Sequence, residues 1–195
     1  MDNSFYKTEK FDFKNIIDDA QILIIGNVLI KKINLIQILL QNKRNVLKGT
    51  IISNNFETIF IDKKIKYFNK YSDKILSDIF EKQINDYNEN KSVDKHFVVL
   101  DYCLDNINNN NFNTLLFNGR QYQIMTILAT EKDLMPDQRF NLDYIFLIGK
   151  NYDIHKFCSR YNIDFEIFKK MYDTIDNNNI IVIDQRMCNI YYCEL

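Results

Sequence analysis

The sequence predicts an α/β fold, a three-layer sandwich in which a mainly parallel sheet lies between two layers of helices. Several apolar runs are continuous rather than alternating, which is typical of strands buried on both faces. Stretches with the 3.6-residue spacing of amphipathic helices separate these runs. At 195 residues and 46% hydrophobic composition, the chain can bury one sizeable core. We therefore expect a single domain over residues 1–195, with residues 1–20 as an N-terminal extension.

The first half of the chain predicts one strand followed by a strand-rich segment and a long helix. QILIIG (21–26) is a buried strand ended by glycine, and KINLIQILLQNK (32–43) is a helix. Residues 47–54 and 59–68 are short strands. The helix over 72–90 begins at Ser72 as its cap, and its spacing predicts one apolar face made of Ile75, Leu76, Ile79, Phe80 and Ile84.

The second half continues the alternation of strands and helices. Buried strands are predicted at 96–101, 123–130 and 141–149, with a helix at 112–122. Two further helical segments and a closing pair of strands complete the pattern, at 154–161, 165–175, 180–184 and 189–195. The asparagine-rich stretches 106–113 and 177–179 are predicted to be a loop and a turn. Parallel sheets of this kind bind ligands at the carboxyl ends of their strands.

Composition and charge exclude several classes of protein. With a net charge of −1, the chain has no global positive field for nucleic acid, and Lys63, Lys64 and Lys66 form its densest basic cluster, which we expect to be a solvated face. The four cysteines lack the spacing of a zinc site and are expected to be reduced and mostly buried. No stretch reaches the length of about 18 apolar residues that a membrane span needs, so we expect a soluble, intracellular protein.

The segment GNVLIKKI (26–33) lies where a phosphate-binding loop would stand, between a strand and a helix. In the pattern GxxxxGK[ST], backbone amides surround the phosphates, the lysine neutralises their charge and the hydroxyl holds Mg²⁺. Gly26 matches the first glycine and Lys32 the lysine, whereas Lys31 replaces the second glycine and Ile33 the hydroxyl residue. Gly26, Lys31 and Lys32 are the candidate cofactor-binding residues. The alternative is an ordinary turn between strand and helix.

Asp101 is the candidate catalytic and metal-binding carboxylate. It ends the apolar strand HFVVLD, as does the aspartate that helps to hold Mg²⁺ in ATPases. The next residue is Tyr102, where many ATPases place a second acid, and a tyrosine with a reference pKa of about 10 is a poor base near neutral pH. The alternative is an aspartate that caps a turn or a helix.

Four motifs in a fixed order give the sequence a more specific character: GTIIS (49–53), LDYCLD (100–105), NGRQY (118–122) and NLDYIF (141–146). In this order and at these separations, the chain resembles the genome-packaging ATPases of large eukaryotic DNA viruses, the poxvirus-type branch of the FtsK–HerA superfamily. The resemblance covers about residues 21–184. It implies a P-loop NTPase-like fold.

The resemblance also implies cofactors, partners and a place of action. These are ATP and Mg²⁺, double-stranded DNA, capsid or packaging proteins, assembly into a homo-oligomeric ring, and work in the host cytoplasm, a viral factory or the virion. Departures at Lys31, Ile33 and Tyr102 put ATP turnover and Mg²⁺ in question, and Glu131 stands where a glutamine sensor is common. Their combination is what loss of hydrolysis with retention of the fold would produce.

Arg120, within NGRQY, is the second candidate catalytic residue. The resemblance implies a position near a subunit interface, where an arginine supplied to a neighbour's nucleotide stabilises phosphoryl transfer. The alternative is a cation at the end of a helix, beside Gly119. His96 and His155 stand apart from any cysteine or carboxylate pattern and are predicted to be packing or surface residues.

Three hypotheses for function follow from these residues. The leading one is a catalytically impaired or inactive relative of a packaging ATPase that acts in genome encapsidation or capsid assembly. The second is an active packaging motor with an atypical phosphate-binding loop. The third is a protein-binding module that uses the α/β scaffold without nucleotide.

Overall fold

The computed structural model describes residues 9–46, 48–54, 64–101, 110–132, 134–150, 152–176 and 179–195. Its strands are β1 (Gln21–Ile25), β2 (Lys48–Ser53), β3 (Lys64–Phe68), β4 (His96–Asp101), β5 (Ile124–Thr130), β6 (Tyr144–Ile148), β7 (Ile180–Asp184) and β8 (Asn189–Cys193). Its α-helices are α1 (Leu29–Asn42), α2 (Asp73–Asn90), α3 (Asn110–Asn118), α4 (Ile154–Tyr161) and α5 (Phe165–Thr174), and short 3₁₀ turns lie at 13–15, 119–122 and 136–139.

The eight strands form one sheet in the order β3-β2-β4-β5-β1-β6-β7-β8. The six strands from β3 to β6 in this order are parallel, whereas β7 and β8 are antiparallel additions at one edge. Side chains of α2, α3, α4 and α5 pack on one face of the sheet, and those of α1 and the N-terminal segment pack on the other. The predicted three-layer α/β fold is confirmed.

The predicted elements agree with the observed ones at most positions. Ser72 stands at the N-cap position of α2, although its side chain makes no capping hydrogen bond. Leu76 and Phe80 are buried on the inner face of the helix, but the prediction that Ile84 belongs to that face is wrong because Ile84 is exposed. The predicted helix at 112–122 ends as an α-helix at Asn118 and continues as a 3₁₀ turn. Residues 59–63 of the predicted strand at 59–68 lie outside the described residues.

The N-terminal segment packs against the domain from residue 9 onwards. Tyr192 of β8 accepts a backbone hydrogen bond from Phe11 at 2.8 Å and donates one to Glu9 at 3.1 Å. The Phe11 ring is buried and lies edge-on to Tyr144 and Phe146. The described part of the predicted extension therefore covers the outer strand β8 and part of the core.

The cysteines and histidines lie largely where the sequence suggested. Cys158 and Cys193 are buried thiols, Cys188 is exposed, and Cys103 lies outside the described residues. His155 stacks on Phe165. None of the helices within the described ranges combines the length and the apolar character that a membrane span needs.

His96 should make the stability of the protein depend on pH. Its Nε2 lies 3.2 Å from Thr50 Oγ1, and burial, together with Lys48, Lys82 and Lys66, lowers its pKa from 6.5 to about 4. In the unfolded chain, the His96 side chain would take up a proton near pH 6.5. The free energy of unfolding therefore has its full value, as far as His96 is concerned, above pH 6.5. It falls by up to about 3 kcal/mol as the pH is lowered towards 4.

We expect urea denaturation between pH 7 and pH 4 to show this loss in the natural protein and not in His96→Gln. The difference between the two stability curves isolates the histidine, because the carboxylates titrate in both proteins. Parallel curves would contradict the expectation.

Candidate functional site

The candidate site lies at the carboxyl ends of β1, β4 and β5 and at the start of α1. This is the edge at which open parallel sheets bind ligands. Three predicted residues, Gly26, Lys32 and Asp101, come to this edge from separate parts of the chain. The motifs that suggested a nucleotide site are therefore brought together by the fold.

Gly26 is required by the packing of the sheet. Its amide donates to Thr130 O at 3.0 Å, which continues the pairing of β1 with β5. A Cβ atom at this position would lie 2.6 Å from Ile148 Cβ and 2.9 Å from Ile148 O. The close approach of β1 to β6 thus accounts for the glycine without any phosphate.

The segment that would surround the phosphates is the first turn of α1. The helix begins at Leu29, three residues earlier than the sequence predicted, and the Lys32 amide donates to Val28 O at 3.1 Å as a helical hydrogen bond. Lys31 in place of glycine leaves no residue that favours an open loop here. The turn exposes apolar side chains, and Ile30 is 72% exposed.

Lys32 is folded inward instead of pointing into an open loop. Its side chain has 0% exposure. Burial lowers its pKa, and the negative charges of Asp101 and Glu131 oppose that shift. The lysine ammonium therefore supplies positive charge to the carboxylates at the end of the sheet.

Asp101 is held by a neighbour on the adjacent strand. Ser53 ends β2 opposite Asp101, and its hydroxyl donates to Asp101 Oδ2 at 2.7 Å. Burial raises the pKa of Asp101, while Ser53 and Lys32 lower it. Ser53 lies within the motif GTIIS, and a hydroxyl at the end of a buried strand is a signal by which the sequence could have indicated this contact.

The remaining loop residues do not complete a magnesium site. Ile33, at the hydroxyl position, is a residue of α1 whose side chain is buried in the core, and Lys31 is partly buried. Within the described ranges, no group of three or more His, Cys, Asp or Glu side chains is placed to hold a metal ion. These residues do not fit Mg²⁺ held in the manner of a working phosphate-binding loop. Tyr102 lies outside the described residues.

Tyr152 fills the groove between the ends of β1 and β6. Its hydroxyl lies 3.2 Å from Ile25 O and 3.0 Å from Ile148 O, and burial raises its pKa to about 12. It borders a cleft of about 220 Å³ that Gly26 and Glu131 also line. A further cleft of about 200 Å³ shares Glu131 and Tyr152 with it. No motif in the sequence indicates Tyr152 as a residue of the site.

Arg120 lies at the opposite ends of the strands, near the amino ends of β1 and β6. It pairs with the buried carboxylate of Asp143, which also accepts a hydrogen bond from the Gln21 amide at 2.7 Å. The Arg120 side chain is 46% exposed. The fold does not bring it to Asp101 in the same chain. Asp143 stood in the quoted motif NLDYIF, but its partners come from distant parts of the sequence.

No protein-family model matches the sequence. A curated relative is "Uncharacterized protein 015R" of Frog virus 3 (isolate Goorha), 27% identical over 167 residues, which are 80% of this chain and 52% of that protein. The chain thus spans about half the length of this relative.

Solved structures of packaging NTPases share the fold. The genome packaging NTPase B204 from Sulfolobus turreted icosahedral virus 2, in complex with sulfate, aligns with a TM-score of 0.69 at 14% identity, over 92% of this chain and 98% of its own. B204, the DNA-packaging ATPase from Sulfolobus Turreted Icosahedral Virus, aligns with a TM-score of 0.65 at 18% identity, over 90% and 96%. The former was also solved with ATP-gammaS.

A more distant neighbour is EssC (ATPases 2 and 3) from Geobacillus thermodenitrificans, with a TM-score of 0.56 at 11% identity, over 85% of this chain and 37% of that one. The described chain therefore has the P-loop NTPase-like fold of genome-packaging NTPases, as the sequence motifs predicted.

Ile33→Ser, which restores the missing hydroxyl residue, should destabilise the protein. The substitution removes a buried aliphatic group and places a hydroxyl in the core, with an expected loss of about 2–4 kcal/mol. Asn34→Ser, at the exposed neighbouring position, should change stability by less than about 0.5 kcal/mol. Urea denaturation measures both, and equal effects would show that Ile33 is not a core residue.

Asp143→Ala should cost about 2–4 kcal/mol, because it leaves the Gln21 amide and Arg120 without their buried acceptor. Arg120→Ala should cost less, since the arginine is half exposed. Asp173→Ala, at an exposed position on α5, is the matched control. If Asp143→Ala behaved like the control, the Arg120 pair would not help to hold the edge of the sheet.

Proposed function

We propose that the chain is a packaging ATPase-like protein of a virus with impaired or absent ATP hydrolysis, and that it acts as a structural or regulatory subunit in genome encapsidation or capsid assembly. The fold it shares with packaging NTPases and its frog-virus relative support a viral packaging context. Double-stranded DNA, capsid or packaging proteins and further copies of the chain are the partners that this context suggests. Its place of action would be the infected cell or the virion.

The state of the phosphate-binding segment carries the proposal. ATP hydrolysis by this fold needs open backbone amides around the phosphates, a lysine that reaches them, and a hydroxyl that helps to hold Mg²⁺. Here α1 takes up the segment from Leu29 onwards, Lys32 is buried beside Asp101, and Ile33 is a core residue. These departures from all three requirements support impaired or absent hydrolysis.

In this proposal Lys32 has become a structural cation. Its ammonium offsets the charge of Asp101, which Ser53 also stabilises, and its buried stem holds the first turn of α1 against the sheet. A buried carboxylate without such compensation would be costly. Lys32 and Asp101 would therefore hold α1 on the carboxyl ends of the strands.

The second candidate is an active ATPase with an atypical loop. It is favoured by the convergence of Lys32, Asp101 and Glu131 at the edge where nucleotides bind to such sheets. Activity would require the first turn of α1 to unwind and Lys32 to turn outward. A neighbouring copy would supply Arg120, which would first have to leave Asp143.

Calorimetry with ATP, with and without Mg²⁺, and steady-state hydrolysis with and without double-stranded DNA separate the two candidates. We expect no magnesium-dependent binding at millimolar ATP and no hydrolysis above background.

Lys32→Met keeps the apolar stem and removes the charge, and it should destabilise the fold by about 2–4 kcal/mol.

A double-mutant cycle tests the structural role of the lysine. Asp101→Asn should restore part of the stability that Lys32→Met loses, with a coupling of about 1–3 kcal/mol. Asn34→Ser serves as the neutral control. Magnesium-dependent ATP hydrolysis by the natural chain, abolished in a folded Lys32→Met variant, would instead establish the active ATPase.

A further inference from the structure

A second cleft, which we call the basic cleft, lies between α2 and the face of β2, β3 and β4. It has a volume of about 360 Å³, and its polar wall includes Lys48 and His96, the first residues of β2 and β4. These residues stand at the amino ends of their strands, whereas Lys32 and Asp101 serve the carboxyl edge. The basic cleft is therefore separate from the candidate nucleotide site.

The strand register concentrates positive charge on one face of the basic cleft. Lys64 is paired with Lys48, and Lys66 with Thr50, so their side chains share the face that α2 partly covers. Lys82 adds a cation from α2, and Asp78 is the acid among the lining residues. Lys48 is already bound to Asp94 at 3.2 Å. The other three lysines outnumber the acid in the cleft.

Burial first, and then the neighbouring lysines, lower the pKa of His96 inside the basic cleft. Lys48, Lys82 and Lys66 each lower the pKa of this histidine, in addition to burial. His96 is neutral at pH 7 and adds no charge of its own. The lysines thus act on the interior of the basic cleft as well as on the solvent, which favours an anionic occupant.

Apolar side chains form the other wall of the basic cleft. Ile75 and Ile79 of α2 are partly buried, and Phe68 at the end of β3 is 36% exposed. Phe68 follows Lys64 and Lys66 at intervals of two residues and therefore lies on the same face of the strand. A ligand that fits both walls carries acids and an apolar group in a fixed spacing.

The position of β3 supplies the geometry for such a ligand. β3 is the last strand of the sheet on this side, and among the described residues its pairing partner is β2. An edge strand can take up an extended peptide by backbone hydrogen bonds, and alternate side chains of that peptide then face one side. Residues opposite Lys64, Lys66 and Phe68 would lie on the side of the basic cleft.

We propose that the basic cleft and the outer edge of β3 form a docking site for an extended acidic peptide segment of a partner protein. The segment adds a strand beside β3, places acidic residues opposite Lys64 and Lys66, and inserts an apolar residue beside Phe68. For a parallel segment the order is acidic, any, acidic, any, apolar, and for an antiparallel segment the order is reversed. Nucleic acid matches the lysines but makes no use of the apolar wall or the strand edge.

Fluorescence anisotropy with the full chain tests this proposal, using labelled peptides that contain EVEVL or its reverse LVEVE as probes. A peptide of the same composition with the order EEVVL is the sequence control. We expect at least one alternating peptide to bind about tenfold more tightly than the control peptide. Lys64→Glu with Lys66→Glu should weaken that binding about tenfold, because two attractions become repulsions.

The matched control is Lys169→Glu with Lys170→Glu, which makes the same charge change at exposed positions on α5 and should leave binding within about twofold, as expected for distant charges screened by salt. Circular dichroism and thermal melting confirm that both variants are folded. Equal binding of alternating and control peptides, equal losses in the two variants, or no peptide binding at all would overturn the proposal. Binding of duplex DNA that is lost with Lys64 and Lys66, without peptide binding, would assign the surface to nucleic acid instead.

Discussion

The burial of the parallel strands on both faces is the constraint on which the rest of the structure depends. β1, β5 and β6 have no exposed residue along their lengths, and helices or the N-terminal segment cover each side. In such a sheet, charged groups are placed at the strand ends, because burying a charge along a strand is too costly. The charged side chains of the sheet therefore lie mainly at the amino and carboxyl ends of its strands.

At the carboxyl edge, the physical problem is a carboxylate and an ammonium that are both removed from water. Asp101 is 3% exposed and Lys32 is fully buried, and either charge alone would be unfavourable. Their mutual attraction, with the hydrogen bond from Ser53, offsets only part of this desolvation, since burial still leaves the pKa of Lys32 lowered and that of Asp101 raised. α1 begins at Leu29, and the buried Lys32 side chain in its first turn interacts electrostatically with Asp101.

At the amino ends of the strands, Asp143 is a second buried carboxylate that binds groups from separate elements of the fold. Its carboxylate accepts a hydrogen bond from the backbone amide of Gln21 at the start of β1 and pairs with the Arg120 side chain, which follows α3. The basic cleft lies further out, between α2 and the face of β2, β3 and β4. The buried carboxylates Asp101 and Asp143 are thus compensated by neighbouring side chains, whereas the lysines of the basic cleft outnumber its acid.

The sequence by itself determined the alternation of strands and helices, because continuous apolar runs and helical spacing are local properties of the chain. It also determined the resemblance to packaging ATPases, and the structural neighbours confirmed the fold that this resemblance implies. The start of α1, the inward turn of Lys32 and the contact between Ser53 and Asp101 were decided by the tertiary structure. So was the pairing of Arg120 with Asp143, residues whose surroundings depend on the register of strands far apart in the sequence. Spacing along the chain carries no information on that register, so it could not show which charges would be buried together.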